Sequence, residues 1–229
     1  MLCIAGVLGL FLAILTSGES IQTSAGISVA AGRVLIIDPG HGGEDGGAVS
    51  ANGTVESHIN LAIGRQMDRI ARLMGQTTVM TRSEDISIYD DGCQTLRQKK
   101  VSDLHNRVSI CNSTQGGVLI SIHQNSLPDK PGVQGAQVFY NAVSGSQELA
   151  QAVQQALNDT VNGEHPKDIK KIPDSIYLMK NVTCPAILIE CGFLSNAAET
   201  ERLSRESYQT VLAMVILSAV MENAATTLP

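Results

Sequence analysis

A layered α/β domain is what this sequence predicts, and three observations carry that reading. Apolar runs of strand length at residues 34–37, 118–122 and 186–189 each break abruptly at a polar or glycine-containing stretch. Between them lie amphipathic stretches of helix length, the clearest having Ile59, Ile63, Met67, Ile70 and Met74 at spacings of four, four, three and four. Strand and helix signals then alternate from Arg33 onward, which is the pattern of a sheet joined by crossover helices.

Each of the three runs ends by delivering a side chain with acid–base or metal-binding chemistry. The first continues into Asp38-Pro39-Gly40 and then His41, followed by Gly42 and Gly43. The second breaks at His123, followed by Gln124-Asn125-Ser126, and the third at Glu190, followed by Cys191 and Gly192. Ligands of open α/β sheets sit beyond the carboxyl ends of parallel strands, so these distant residues are expected to converge.

In chain order, residues 44–48 and 51–54 read as loop. The first helix opens near Glu56, placing that carboxylate against the partial positive charge of a helix N-terminus, and Gly75 ends it. His58 falls roughly 200° around the helix from Glu56 and is expected outside its site. Residues 77–80 read as a short strand and 83–98 as a long surface loop. Residues 99–112 read as a helix with Leu104, Val108 and Cys111 on one face, leaving His105 at the surface. Residues 136–140 read as a strand. Ser146 is the expected N-cap of a helix that keeps Leu149, Val153, Leu157 and Val161 on one face until Gly163. Residues 164–173 read as loop, 176–179 as a strand, and 196–203 and 208–221 as closing helices.

The 229 residues are 43% apolar, enough for one good core. The expected organisation is a signal peptide or membrane anchor plus linker over residues 1–32, then one catalytic domain over 33–229. Residues 2–15 form an apolar run shorter than the roughly 20 residues of a spanning helix but suited to an export signal. Thr23-Ser24-Ala25 and Ser28-Val29-Ala30 are candidate cleavage sites. No Lys or Arg precedes Arg33, so the usual basic start of such a signal is missing, and an uncleaved anchor stands as the alternative. A net charge of −6 argues against nucleic acid as a partner. With aromatics at 3% and no tryptophan, a carbohydrate polymer would be held by polar contacts rather than stacking. Five cysteines without CxxC spacing argue against a disulfide framework or thiolate metal site. Cys191, next to Glu190 on a strand, is expected to face the other way.

Two histidines and one carboxylate are the donor set of hydrolytic zinc centres, which leave a fourth position to water and lower its pKa to about 7. A further carboxylate must take the water's proton and return it to the leaving nitrogen. His41, Glu56 and His123 fit the ligand roles and Glu190 the shuttle. Each has a plainer reading: a histidine at a strand end can be a satisfied loop residue, and Glu56 a helix-start carboxylate. No HExxH signature decides between them.

Six segments, in order, carry a resemblance: Ile36-Ile-Asp-Pro-Gly-His-Gly-Gly43, Glu56-Ser-His-Ile-Asn-Leu61, Met80-Thr-Arg82, Asp103-Leu-His-Asn-Arg107, Ser121-Ile-His-Gln-Asn-Ser126 and Pro185-Ala-Ile-Leu-Ile-Glu-Cys-Gly-Phe-Leu-Ser-Asn196. Together they resemble the zinc-dependent N-acetylmuramoyl-L-alanine amidases of the Amidase_3 type. The resemblance implies a mostly parallel sheet of about six strands with helices on both faces, Zn²⁺ on His41, Glu56 and His123, and Glu190 as the catalytic carboxylate. It implies hydrolysis of the amide between N-acetylmuramic acid and L-alanine in peptidoglycan, with close substrate approach at Gly42 and Gly43 and a polar contact from Asn125.

The single domain, the N-terminal apolar segment and the Thr95-Leu-Arg-Gln-Lys-Lys100 stretch resemble the germination-specific, CwlD-like subgroup of spore formers. Those enzymes act in cortex maturation, ahead of muramic-δ-lactam formation. This likeness implies export to the cell envelope or the forespore intermembrane space, peptidoglycan as the partner, and a lipoprotein as activator or targeting partner. Many members carry an arginine motif where this chain has residues 165–171, with Lys170 or Lys171 as stand-ins. Two other functions fit the same residues: a zinc peptidase of peptidoglycan cross-links, and a non-catalytic wall-binding protein.

Overall fold

The computed structural model describes residues 33–226, with side chains described to residue 223, so the expected signal or anchor over 1–32 lies outside the described residues. Its strands are β1 (Val34–Pro39), β2 (Thr78–Met80), β3 (Gly117–Asn125), β4 (Gln137–Tyr140), β5 (Lys170–Lys171) and β6 (Ala186–Phe193). Its helices are α1 (Glu56–Leu73), α2 (Leu96–Ser113), α3 (Ser146–Leu157, continued by a π-helical turn at Asn158–Asn162), α4 (Tyr177–Asn181), α5 (Ala197–Leu203) and α6 (Glu206–Thr226).

The six strands form one sheet in the order β2-β1-β3-β6-β4-β5. β2, β1, β3 and β6 run parallel, while β4 is antiparallel to β6 and carries β5 parallel to itself. β1, β3 and β6 are therefore adjacent and deliver their carboxyl ends to the same edge, as the resemblance to a mostly parallel sheet implied.

The three central strands are buried on both faces because their alternate residues serve two cores. Leu35, Ile37, Ile120, Ile122, Ile187 and Ile189 pack with Ile63, Met67, Val153, Leu157, Leu212 and Ile216 of α1, α3 and α6. Ile36, Leu119 and Leu188 point the opposite way, toward Cys111, Leu178 and Met179 of α2 and α4. Truncating one of these isoleucines to alanine costs about 2–5 kcal/mol, so the layer is a rigid base for whatever its edge carries. Cys191 is buried in the first core, and Cys93, Cys111, Cys184 and Cys191 are all free thiols.

Four local expectations are corrected. Residues 176–179 are not a strand: Tyr177–Asn181 is one helical turn whose Leu178 and Met179 fill the second core, and an apolar run this short has no period that separates strand from helix. Lys170 and Lys171, expected in a loop, pair with Phe139 and Tyr140 as the sheet's edge, where exposed lysines discourage further strand addition. α2 starts three residues before residue 99, because Thr95 and Gln98 form a reciprocal capping box. Ser146 is not an N-cap: left-handed Gly145 takes that place, and the buried Ser146 hydroxyl joins Asn141 Oδ1 and the Ala186 N–H instead.

Candidate active site

Past β1 the chain leaves the sheet through His41, which has φ 61 and is the only non-glycine residue in the left-handed region among the described residues. That conformation costs an L-residue about 1–2 kcal/mol, so the surroundings must enforce it. Two buried arginines do so through the backbone. Arg107 donates to the carbonyls of Pro39 (2.9 Å) and His41 (2.8 Å), and Arg82 to those of Pro39 (2.9 Å), Gly40 (3.0 Å) and Ser57 (2.9 Å). One turn of loop and the start of α1 are thereby tied to the same guanidinium.

Arg107 is itself fixed by Asp38 (2.6 Å) and Asp103 (2.7 Å), and Asp38 also accepts from Ser121 (2.6 Å) and Thr81 (2.7 Å). Burial alone would raise the Asp38 pKa, but the Arg107 charge and the two hydroxyls outweigh it and hold the carboxylate below its ordinary range. β1, β2, β3 and α2 are thus joined just beneath the point where His41 and His123 emerge.

Glu56, the first residue of α1 and buried, turns its Oε1 between the two histidines, 3.4 Å from His41 Nε2 and 3.1 Å from His123 Nδ1. The imidazoles stand edge to face, with centroids 5.0 Å apart at 78°. One donor atom from each of the three residues falls within 4.8 Å of the others. A tetrahedral ion with bonds of 2.0–2.1 Å separates its ligands by about 3.4 Å, so the two shorter spacings fit such an ion. The donors are also free of any lysine or arginine partner among the described ion pairs that would compete with a cation.

The remaining contacts orient these donors. His41 Nδ1 meets Asp45 Oδ2 at 3.0 Å, which leaves Nε2 facing Glu56. Glu56 Oε2 accepts from the Ala48 N–H at 2.8 Å and Oε1 from the Gln124 N–H at 3.0 Å. Burial opposes the ionisation of Glu56, yet hydrogen bonds from His123 and His41 hold its pKa far below the carboxylate range. Burial likewise opposes protonation of His41, but Asp45 and Glu56 raise its pKa to about 9. The pocket is built to hold positive charge. Two glycines leave room for it: a Cβ on Gly40 would lie 2.2 Å from His123 Cε1, and one on Gly47 2.4 Å from Glu56 Oε2.

Glu190 is the register partner of His123 on the neighbouring strand. Its Oε2 is buried without a hydrogen-bond partner, and burial pushes its pKa up to about 7, His123 and His41 opposing and Glu56 reinforcing the shift. A carboxyl group in this condition can take up and give back a proton near neutrality.

The histidines expected elsewhere are elsewhere: His58 is exposed on Asp85 at 3.0 Å, and His105 is exposed and stacked on Tyr177. Gly42 and Gly43 make room for the chain itself, since a Cβ on Gly42 would fall 2.2 Å from the Ile86 carbonyl oxygen and one on Gly43 3.0 Å from the Ser87 nitrogen. Asn125 closes the irregularity after His123, its side chain accepting from the Ser126 N–H (2.8 Å) and its carbonyl from the Leu194 N–H (2.8 Å). Sequence reasoning assigned no role to Asp45, Arg82, Arg107, Gly40 or Gly47. A buried aspartate closing an apolar strand, as Asp38 does, was the available hint that a buried cation lay nearby.

Fold and site together define a metal-dependent α/β hydrolase. Residues 35–222 match the N-acetylmuramoyl-L-alanine amidase family, Amidase_3. The germination-specific N-acetylmuramoyl-L-alanine amidase of Bacillus subtilis (strain 168) is 32% identical over 190 residues, covering 83% of this chain and 79% of that protein. The CwlD amidase of Clostridioides difficile, whose structure was determined in complex with the GerS lipoprotein, superposes with a TM-score of 0.81 at 34% identity, over 85% of this chain and 99% of that one. A second N-acetylmuramoyl-L-alanine amidase, from Clostridium difficile 630, gives 0.74 at 29% identity, over 86% and 98%. The chain belongs to the Amidase_3 family and is a peptidoglycan amidase acting on the bond between N-acetylmuramic acid and L-alanine.

Proposed function

We propose that this amidase is a zinc enzyme of the cell envelope, with His41, Glu56 and His123 as its ligands and Glu190 as its proton shuttle, and that it works in spore cortex maturation. The observation that carries the site assignment is the meeting of three donor atoms from three separate elements, beside a strand whose carboxylate oxygen lacks a partner. Zinc suits two imidazoles and a carboxylate, whereas magnesium and calcium prefer shells of oxygen. Bound there, the cation would supply Lewis acidity toward the amide carbonyl and the attacking water.

The chain's own groups divide the remaining work. Asp45 orients His41, and Arg82 and Arg107 hold the backbone that carries it. Glu190 Oε2 takes a proton from water as the water oxygen bonds to the lactyl carbonyl carbon, then delivers it to the alanine nitrogen as the C–N bond breaks. The products are a lactyl carboxylate on muramic acid and a stem with a free N-terminal alanine.

The cortex role is supported by the likeness to the germination-specific enzyme of Bacillus subtilis and to the clostridial CwlD. Because the latter is seen with a lipoprotein, a lipoprotein partner for this chain belongs to the same proposal. Export rests on the reading of residues 1–32; among the described residues no helix is long and apolar enough to cross a membrane. Metal analysis paired with mass spectrometry of digested peptidoglycan tests the core of it. One zinc per chain and stems beginning with alanine are expected. Alanine left on muramic acid would mean that a different bond is cut, and full activity without bound metal would remove the zinc assignment.

A further inference from the structure

We propose that Asn60 is a positioning residue of the cation site: its side-chain amide fastens the three ligand-bearing segments to one another, so that His41, Glu56 and His123 can close on one ion. The inference rests on the zinc reading above and extends it to a residue that touches no reacting atom.

Asn60 lies four residues beyond Glu56 on α1, so the two side chains share a helix face, and it is fully buried. Its nitrogen has two protons and both are committed. One goes to Glu56 Oε1 at 3.2 Å, the same oxygen that faces the imidazoles, and the other to the carbonyl of Gly40 at 3.1 Å, immediately before His41. Its oxygen accepts from Gln124 Nε2 at 3.2 Å, immediately after His123. The Gln124 backbone N–H returns to Glu56 Oε1 at 3.0 Å, closing the circuit. The end of β1, the first turn of α1 and the end of β3 therefore meet at one amide.

A buried asparagine can equally be a core residue that has satisfied its own polar atoms. Here each of the three bonds ends on a proposed ligand or on a residue next to one in the chain, and both N–H donors of the amide are spent on them. Only an amide fits the three demands. Aspartate would set an acceptor against two acceptors, and leucine would leave Glu56 Oε1, the Gly40 carbonyl and the Gln124 amide each short of a bond.

The test uses the full chain stripped of metal, as wild type, Asn60→Ala and Gln124→Met, with zinc affinity measured by competition against a chromophoric chelator and the melting temperature of each metal-free protein recorded alongside. Loss of a group that orients a ligand typically weakens metal binding about 10- to 100-fold, and that is expected for Asn60→Ala, with a smaller loss for Gln124→Met. A purely structural Asn60 predicts the reverse split, a lower melting temperature with unchanged zinc affinity in the folded protein, and that result overturns the proposal. Should Asn60→Ala fail to fold, Gln124→Met decides, since it keeps Asn60 and removes its side-chain tie to β3, along with a buried Oε1 that has no hydrogen-bond partner among the described residues: wild-type affinity there also overturns it. A wild-type chain that binds no zinc would overturn the ligand assignment and this proposal with it, and would be evident before any variant is made.

Discussion

His123 and Glu190 sit opposite each other as register partners on adjacent parallel strands, β3 and β6. The pairing places a carboxyl group with an unpartnered buried oxygen beside the imidazole that faces Glu56, while Cys191, one residue further along, is buried in the core on the other face. A strand alternates its side chains, so a shift of one residue would exchange the acid for the thiol.

Glu190→Ala is therefore expected to keep the cation and lose turnover, by about 10²–10⁴-fold, the usual contribution of a positioned proton-transfer group. His123→Ala should lose both. Zinc content and amide hydrolysis measured on the same preparations separate the two roles, and a Glu190→Ala enzyme close to the wild-type rate would remove the shuttle from the mechanism.

Space at the site is set by glycine. Gly40→Ala would drive a methyl group to within 2.2–2.7 Å of three atoms of the His123 ring, whereas a Cβ at Gly132 meets nothing within 4 Å. Gly40→Ala should displace that ring and lose zinc, at an overpacking cost to stability of roughly 1–3 kcal/mol, while Gly132→Ala leaves zinc content unchanged. Zinc titration and thermal melts of the two variants compare them directly. Equal zinc affinity in both would mean that His123 does not need the position it occupies here.

How much of this could be read from the sequence depended on whether a local pattern existed. His41, His123 and Glu190 each terminate an apolar run, and Glu56 opens an amphipathic one, so four scattered residues were visible as ends of elements. Their common destination then followed from strand direction. Arg82 and Arg107 were not visible as supports, because an arginine that binds main-chain carbonyls leaves no mark on its own neighbours in sequence. The two-residue β5 and the single turn of α4 are shorter than any period that could announce them, and both are held by partners distant in the chain. The capping box of α2 was written in Thr95 and Gln98, but it falls inside a polar stretch where loop and helix start look alike.

Replacing Arg107 should be far more damaging than its distance from the substrate suggests. Its guanidinium bridges Asp38 and Asp103 and holds the carbonyls of Pro39 and His41, all but out of reach of water. Arg107→Leu would leave buried carboxylates without a counter-charge, a change that typically costs about 3–5 kcal/mol. Lysine would keep the charge but not the planar fork that reaches both sides at once, so Arg107→Lys should retain part of the stability and still weaken zinc binding. Urea unfolding gives the first quantity and chelator competition the second; wild-type zinc affinity in a folded Arg107→Lys protein would count against its support of His41.

Asp38 gives this network a pH signature. Its pKa in the folded protein lies below the unfolded value of about 3.9, so the native state favours its ionised form, and the resulting stability is present in full above that value. It is lost as pH falls from there through the lower folded pKa, because the unfolded chain takes up the proton first. Asp38→Asn removes the titration and weakens the pairing with Arg107 at every pH. The wild type should therefore exceed Asp38→Asn in urea midpoint at pH 7 and hold that margin down to about pH 5, and the margin should narrow steadily between pH 4 and pH 3. A margin that stays constant across the acid limb would mean that Asp38 is no more acidic in the fold than in the unfolded chain, and that the charge on Arg107 is balanced elsewhere.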